Sequence, residues 1–240
     1  MNGAAISSGC PPVDELLGDG FERGTVTQLY GPPAAGKTNL ALSAAVEVAA
    51  AGGTAVYIDT EGLSIDRFEQ LLSARVEGDA DDLANAESIA SQIIIEEALD
   101  FADQAEAVRD AEEFAERADL IVLDSATGFY RLERGGDEQA GDALRQVTRQ
   151  VTHLLSLARK HDLAVVVTNQ VFADPDSDRT RALGGNTLEH WTGTIVRIDR
   201  FRGGNRRATL EKHRAKPAGD SVQFQITNEG LRGSDSQPYP

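Results

Sequence analysis

The sequence predicts an α/β fold: a mostly parallel sheet flanked by helices, with antiparallel strands added at its C-terminal end. Three observations carry this prediction. Short apolar runs of strand character alternate with longer helical patterns from residue 26 to residue 168. An octapeptide between the first such strand and the first long helix, Gly31-Pro32-Pro33-Ala34-Ala35-Gly36-Lys37-Thr38, matches G-x-x-x-x-G-K-[ST] at every fixed position. Glu61, Asp124 and Gln170 fall at or just past the C-terminal ends of three later strands, the edge along which open parallel sheets bind ligands.

The elements follow in order. Ile6 opens a strand fragment, Val13 to Leu17 a short helix, and a glycine-punctuated turn runs to Gly24. Val26 to Tyr30 reads as a buried strand, and the helix after the octapeptide sets Leu40, Ala41, Ala44, Ala45 and Val48 on one face before Gly52-Gly53 ends it. Thr54 to Asp59 is the next strand, leading through Thr60-Glu61-Gly62 into a helix over Ile65 to Arg75 with Ser64 as its cap. Residues 77–119 hold fifteen Asp/Glu against two Arg. Within them Ile93 to Ile95 reads as a strand, while Phe101, Ala105, Val108, Ala111, Ala115 and Ala118 keep helical spacing, so the acids are expected on a solvated face rather than a partner-binding one. The strand Leu120 to Asp124, a helix about Glu138 to Lys160 and the strand Leu163 to Thr168 complete the alternation. From Thr194 the period drops to two, and Thr194 to Phe201, Arg206 to His213 and Val222 to Thr227 are expected as antiparallel strands. One domain over residues 1–232, with a loose tail over 233–240, is the expected organisation.

Charge narrows the setting. The formal net charge is -16, from 39 acidic and 23 basic residues, and only four of the basic residues are lysine. An acidic excess with scarce lysine suits a protein of a halophile, because concentrated salt screens the self-repulsion. The chain holds no apolar run long enough for a membrane span and no basic-then-apolar leader, so a cytoplasmic protein without a membrane partner is expected. Cys10 is the one cysteine, which excludes an internal disulfide, and the four histidines do not cluster as metal ligands. Trp191 and Phe201 are expected in the core rather than as base-stacking platforms.

The octapeptide reads as a phosphate cradle. Glycine removes the Cβ where successive amides must converge on phosphate oxygens, and the helix that follows adds its N-terminal partial charge. Gly31, Pro32, Pro33, Ala34, Ala35, Gly36, Lys37, Thr38 and Asn39 are therefore the expected contacts to ATP, with Lys37 reaching the β and γ phosphates and the Thr38 hydroxyl a ligand of Mg²⁺. Hydrolysis also needs a second anchor for the metal, a group that polarises water and one that senses the γ-phosphate. Asp124 is the candidate anchor, Glu61 the candidate base and Gln170, a neutral amide, the candidate sensor. Taken singly each has a bland reading, since solvated strand ends are commonly polar.

The order of the pieces carries a resemblance. Ile6-Ser-Ser-Gly-Cys10 with Val13-Asp-Glu-Leu-Leu-Gly18, Tyr57-Ile-Asp-Thr-Glu-Gly62, Leu120-Ile-Val-Leu-Asp-Ser-Ala-Thr127 and Val165-Val-Val-Thr-Asn-Gln-Val171 closely resemble the RadA recombinases of archaea, members of the RecA-like P-loop ATPases, over most of residues 6–230. The resemblance implies a RecA-like core and carries Lys37, Thr38, Glu61, Asp124 and Gln170 into that family's nucleotide-site roles. Arg67 is similar to the arginine that stacks on adenine in the family, with a plain surface-helix arginine as the other reading. RadA proteins carry an N-terminal DNA-binding domain and a Phe-x-x-Ala polymerisation motif; here the core starts at residue 1 and no Phe is followed three positions later by Ala. The core-only length, Glu211-Lys-His-Arg214 with Pro217, and Leu188-Glu-His-Trp-Thr-Gly193 resemble the RadB paralogues. That likeness implies DNA binding, recombinational repair beside RadA, feeble ATP hydrolysis and little strand exchange. A minimal DNA-stimulated recombinase, and a signalling ATPase similar to KaiC without a DNA role, are the alternatives.

Contacts to DNA, single-stranded or branched, are expected from two loops and a hairpin. Gly128 to Asp137 carries Arg131 and Arg134, and Phe172 to Asn186 carries Arg179 and Arg181, although Asp174, Asp176 and Asp178 would repel phosphate there. Residues 197–216 hold eight Lys/Arg against two acids, among them Arg200, Arg202, Arg206, Arg207, Lys212 and Arg214. A cationic hairpin in so acidic a chain reads as a nucleic-acid surface, or else as strands whose arginines pair with nearby carboxylates. By the resemblance Lys212 also stands where RadA has an acid that caps the neighbouring subunit's ATP.

Overall fold

The structure, a computed structural model, describes residues 3–76, 82–129, 137–173, 180–182, 184–201 and 204–234. Helix α1 (Pro11–Leu17) leads into β1 (Val26–Tyr30), α2 (Lys37–Ala50), β2 (Ala55–Asp59), α3 (Ile65–Val76), α4 (Asp82–Ala90), β3 (Ile93–Glu97), α5 (Phe101–Phe114), β4 (Leu120–Asp124), α6 (Asp137–His161) and β5 (Ala164–Asn169). A two-stranded hairpin, β6 (Val171–Ala173) and β7 (Thr180–Ala182), and α7 (Gly185–Trp191) follow. The chain then enters β8 (Thr194–Arg200), β9 (Asn205–Lys212), β10 (Ser221–Thr227) and β11 (Gly230–Gly233).

Among the described residues nine strands form one sheet, in the order β11-β10-β9-β8-β1-β5-β4-β2-β3. β8, β1, β5, β4, β2 and β3 run parallel, and β9, β10 and β11 extend the β8 edge antiparallel. The expected parallel α/β sheet with antiparallel C-terminal strands is thus the fold found. Both sheet faces are covered, which is why the central strands read as unbroken apolar runs. In β4, Leu120 and Val122 join the core beneath α1 and α2, while Ile121 and Leu123 join the core beneath α5 and α6. β2 divides in the same way, Tyr57 to the first layer and Val56 and Ile58 to the second.

Several local expectations need correction. α2 buries Leu42, Ser43, Val46 and Ala49 as well as the predicted stripe, because α3 and α4 pack against it in addition to the sheet. α5 ends at Phe114, so Ala115 and Ala118 are buried beyond the helix rather than on it. β8 pairs parallel with β1, and the antiparallel addition begins only with β9. Trp191 and Phe201, expected in the core, are 39% and 43% exposed; Phe201 stands under the Arg207 guanidinium at 4.6 Å, and Trp191 meets His190 edge to face. Helices α4 and α7 and the hairpin β6–β7 were not anticipated, since none carries a long amphipathic repeat.

Candidate nucleotide site

The octapeptide forms the turn between β1 and α2 that its sequence demands. Gly36 is the N-cap of α2, at φ 107°, a left-handed conformation that disfavours any side chain. A Cβ there would lie 2.8 Å from Ile226 Cδ1, and one on Gly31 would lie 2.1 Å from the Ile198 carbonyl oxygen. Ala34 is also held at positive φ, 58°, a conformation that strains a residue with a side chain. The strand places one glycine against β8 and the helix places the other against β10.

Lys37 turns back over this loop. Its Nζ donates to the carbonyl oxygens of Gly31 at 3.1 Å and Pro32 at 3.2 Å, and the side chain is buried. Burial pulls its ammonium below the ordinary lysine value, while the charges of Glu61 and Asp124 act in the opposite direction. A cation folded over a glycine loop at a helix N-terminus, with two backbone carbonyls as its partners, is suited to an anion of high charge.

Asp124 closes β4 beneath the loop at 2% exposure. The Tyr57 hydroxyl donates to its Oδ2 at 2.7 Å and the Thr168 hydroxyl donates to its Oδ1, while the Thr38 hydroxyl is near enough to favour the ionised carboxylate. Burial raises its carboxyl above the usual range; the three hydroxyls oppose that shift, and the Glu61 charge adds to it. Two hard oxygen donors, the Thr38 hydroxyl and the Asp124 carboxylate, therefore adjoin, a donor set that suits Mg²⁺.

Glu61 arrives from β2 through an aspartate-centred turn. Asp59 accepts the amides of Glu61 and Gly62 at 3.1 Å each, and that of Leu63, which folds the chain end back across the sheet edge. The Glu61 Oε1 then accepts from the Ser125 hydroxyl at 2.8 Å and from the Gln170 Nε2 at 2.9 Å. Three strands, β2, β4 and β5, meet at this one carboxylate.

Arg67 on α3 is half-buried. Its Nε donates to Asn39 Oδ1 at 2.7 Å, and its Nη1 donates to the Gln70 side chain at 3.1 Å and the Thr227 carbonyl at 2.7 Å. It borders a cavity of about 390 Å³ lined also by Thr38, Asn39, Leu63, Ile226 and Thr227, continuous with the start of α2. The structure thus brings Gly31 to Asn39, Glu61, Arg67, Asp124 and Gln170 to one edge. Sequence reasoning missed Tyr57, Thr168, Ser125 and Asp59, which hold those groups, and Ile226 and Thr227, which wall the cavity. Their signal was only adjacency, Thr168 two residues before Gln170 and Ser125 next to Asp124.

The expected cationic hairpin is not one surface, and here the reading is corrected. β9 runs antiparallel to β8, so Arg200, Arg206 and Arg207 stand at the nucleotide edge while Lys212 and Arg214 stand at the other end. Some of these cations are structural: Lys212 Nζ donates to the Glu189 and Thr192 carbonyls at the end of α7, Lys216 to those of Glu15 and Leu16 at the end of α1, and Arg197 pairs with Asp199. Arg214 lies 3.9 Å from Glu22 and, with Arg159, Lys212, His213 and Trp191, lines a cavity of about 300 Å³. Arg131, Arg134, Arg179 and Arg202 lie outside the described residues, as does the Arg181 side chain.

The Rad51 family model matches residues 2–234. The DNA repair and recombination protein RadB of Halobacterium salinarum is 65% identical over 98% of this chain and 97% of its own, and its counterpart from Methanococcoides burtonii is 43% identical over 95% and 97%. A solved structure, described as the crystal structure of the RadB recombinase, superposes with a TM-score of 0.80 at 34% identity, over 96% of this chain and all of that one. With the fold, the phosphate loop and the edge carboxylates in register, the chain belongs to the Rad51 family of RecA-like proteins, within its RadB DNA repair and recombination branch.

Proposed function

We propose that the protein is a nucleotide-switched accessory factor of recombinational DNA repair, one that binds Mg²⁺ and ATP at the edge just described, hydrolyses it slowly, and engages DNA and the RadA recombinase. A single domain spanning residues 1–232 is part of the same reading. The observation that carries it is the meeting of Lys37, Thr38, Asp124, Glu61 and Gln170, drawn from four separate elements, around one glycine loop.

Lys37 and the loop amides would hold the triphosphate, and the Arg67 border of the 390 Å³ cavity would receive the base. Thr38 and Asp124 would hold Mg²⁺, which when bound neutralises charge on the phosphate oxygens. Glu61 is placed to orient and deprotonate water, and Gln170, bonded to it, transmits the state of that carboxylate to β5 and the loop beyond. The Glu61 Oε1 already accepts from Ser125 and Gln170 in this structure, so an attacking water must compete with both donors for that oxygen. This favours a switch over a fast enzyme.

DNA is assigned to the cations left free of helix capping, Arg200 and Arg207 at the nucleotide edge and Arg159 and Arg214 at the opposite end. The partnership with RadA rests on the resemblance alone. Calorimetric titration with MgATP, in the salt the protein requires, tests the site: wild type binds and Lys37→Ala does not. Steady-state phosphate release with and without single-stranded DNA tests the role, since strong stimulation by DNA would replace the accessory reading with an active recombinase.

A further inference from the structure

Arg206, the second residue of β9, stands at the same sheet edge as the phosphate loop, yet it is shut away from solvent at 9% exposure. Its guanidinium is only partly used. Nη1 donates to the carbonyl oxygens of Gly204 and Asn205 in its own turn, whereas Nε is buried with no hydrogen-bond partner. Arg206 forms no ion pair among the described residues, and the charge that acts on it is another cation, Arg200. A buried guanidinium without a carboxylate is costly, and such groups persist where a ligand of opposite charge completes them.

The direction of that empty edge is set by Gly36. The Arg206 Nε lies 3.7 Å from the position a Cβ on Gly36 would occupy, beside Ile226. Gly36 is the N-cap of the fourteen-residue helix α2, whose first amides are donors without intrahelical partners. A helix N-terminus and a buried arginine with an unpartnered Nε thus converge on one spot, from α2 and from β9. Since Nη1 is engaged with backbone, the Nε–H and Nη2–H edge remains, the edge whose two parallel donors match two oxygens of one phosphate.

We infer that Arg206 is a further phosphate-binding residue of the nucleotide site, closing the cradle from the β9 side through its Nε/Nη2 edge. The inference rests on the reading of this edge as a nucleoside triphosphate site and adds a cation that the octapeptide motif does not contain. It also removes Arg206 from the DNA surface, because a side chain so enclosed cannot track a nucleic-acid backbone. The two glycines have a further reason in this arrangement: Gly31 lets the loop approach β8, and Gly36 lets β9 and β10 approach the loop.

The test titrates MgATP and adenosine into wild type, Arg206→Gln, Arg206→Lys and Lys37→Ala, and records thermal unfolding of each without nucleotide. Arg206→Gln should weaken MgATP about tenfold or more, the scale of a charge-assisted bond pair, with little effect on adenosine. Arg206→Lys should recover part of that loss, keeping the charge but not the two-donor edge. The nucleotide-free unfolding midpoint of Arg206→Gln should equal or exceed wild type, because a buried unpaired cation has been removed. MgATP affinity within twofold of wild type in Arg206→Gln, while Lys37→Ala loses binding, overturns the inference and leaves the site intact. So does a loss for adenosine as large as for MgATP together with a lowered midpoint, which would make Arg206 structural, or a loss confined to single-stranded DNA. Wild type that binds no MgATP removes the nucleotide reading itself, and this inference with it.

Discussion

The Glu61 carboxylate accepts the Gln170 amide at 2.9 Å, so a residue at the end of β2 and one just past the end of β5 act as a unit across the intervening β4. In the proposed function one acts on water and the other registers the terminal phosphate. Glu61→Ala should leave MgATP affinity within about threefold and lower turnover roughly a hundredfold, the usual reach of a general base. Gln170→Ala should lower turnover less, and the double variant should resemble Glu61→Ala alone, because members of a unit are not additive. Phosphate-release rates beside calorimetric affinities check this; equal loss of binding in Glu61→Ala would make that residue structural.

Asp124 predicts a pH dependence with a definite sign. Burial raises its carboxyl above the unfolded value, so the folded chain keeps a proton that the unfolded chain has released. Stability from this group is therefore present below the unfolded value and lost as pH rises through the folded one. Asp124→Asn should then not lower the nucleotide-free unfolding midpoint at neutral pH, although it removes the proposed metal anchor. In wild type the midpoint gain on adding MgATP should grow from acid toward neutral pH, as the carboxyl ionises. A gain independent of pH would count against Asp124 as the anchor.

Gly31→Ala should cost about 3 kcal/mol in denaturant unfolding, because its methyl would meet the Ile198 carbonyl, a backbone atom that cannot rotate away. Gly52→Ala is the comparison: its φ is 83°, but nothing lies within 4 Å of an added Cβ. Only backbone strain remains there, about 1 kcal/mol. A smaller loss at Gly31 than at Gly52 would contradict the close packing of the loop on β8.

The two ends of β9 predict different behaviour for two neighbouring cations. Lys212→Ala should lower thermal stability, because its Nζ satisfies carbonyls at the end of α7. Arg214→Ala should leave stability nearly unchanged, weaken single-stranded DNA roughly threefold and flatten the fall of affinity with rising KCl by about one unit of slope. An affinity indifferent to salt would take the Arg159–Arg214 cavity out of consideration as a DNA surface.

Much of this molecule could be read in advance, and the reason differs from part to part. β2, β4 and β5 are buried on both faces, so their apolar runs stand out in a chain this acidic. The loop Gly31 to Thr38 is visible because its residues are contiguous in sequence, although the atoms its glycines make room for, on Ile198 and Ile226, lie far along the chain. α7 and the hairpin β6–β7 were not legible, since α7 has seven residues and each strand three, too short for a periodicity to show. Trp191 and Phe201 misled because side-chain type predicts burial only on average, and here both stand beside basic groups at the surface.

The order of residues alone determined the alternation of strands and helices, the phosphate loop and the set of polar groups at strand ends, since each depends on neighbours close in the chain. Pairing decided the rest. Tyr57 and Thr168 reach Asp124 from the strands on either side of β4, and Gln170 reaches Glu61 across 109 positions, because sheet order is a property of the whole fold. The same antiparallel turn that makes β9 sends Arg206 beneath the phosphate loop and Arg214 to the far edge, dividing a basic segment that is continuous in sequence into groups with different work.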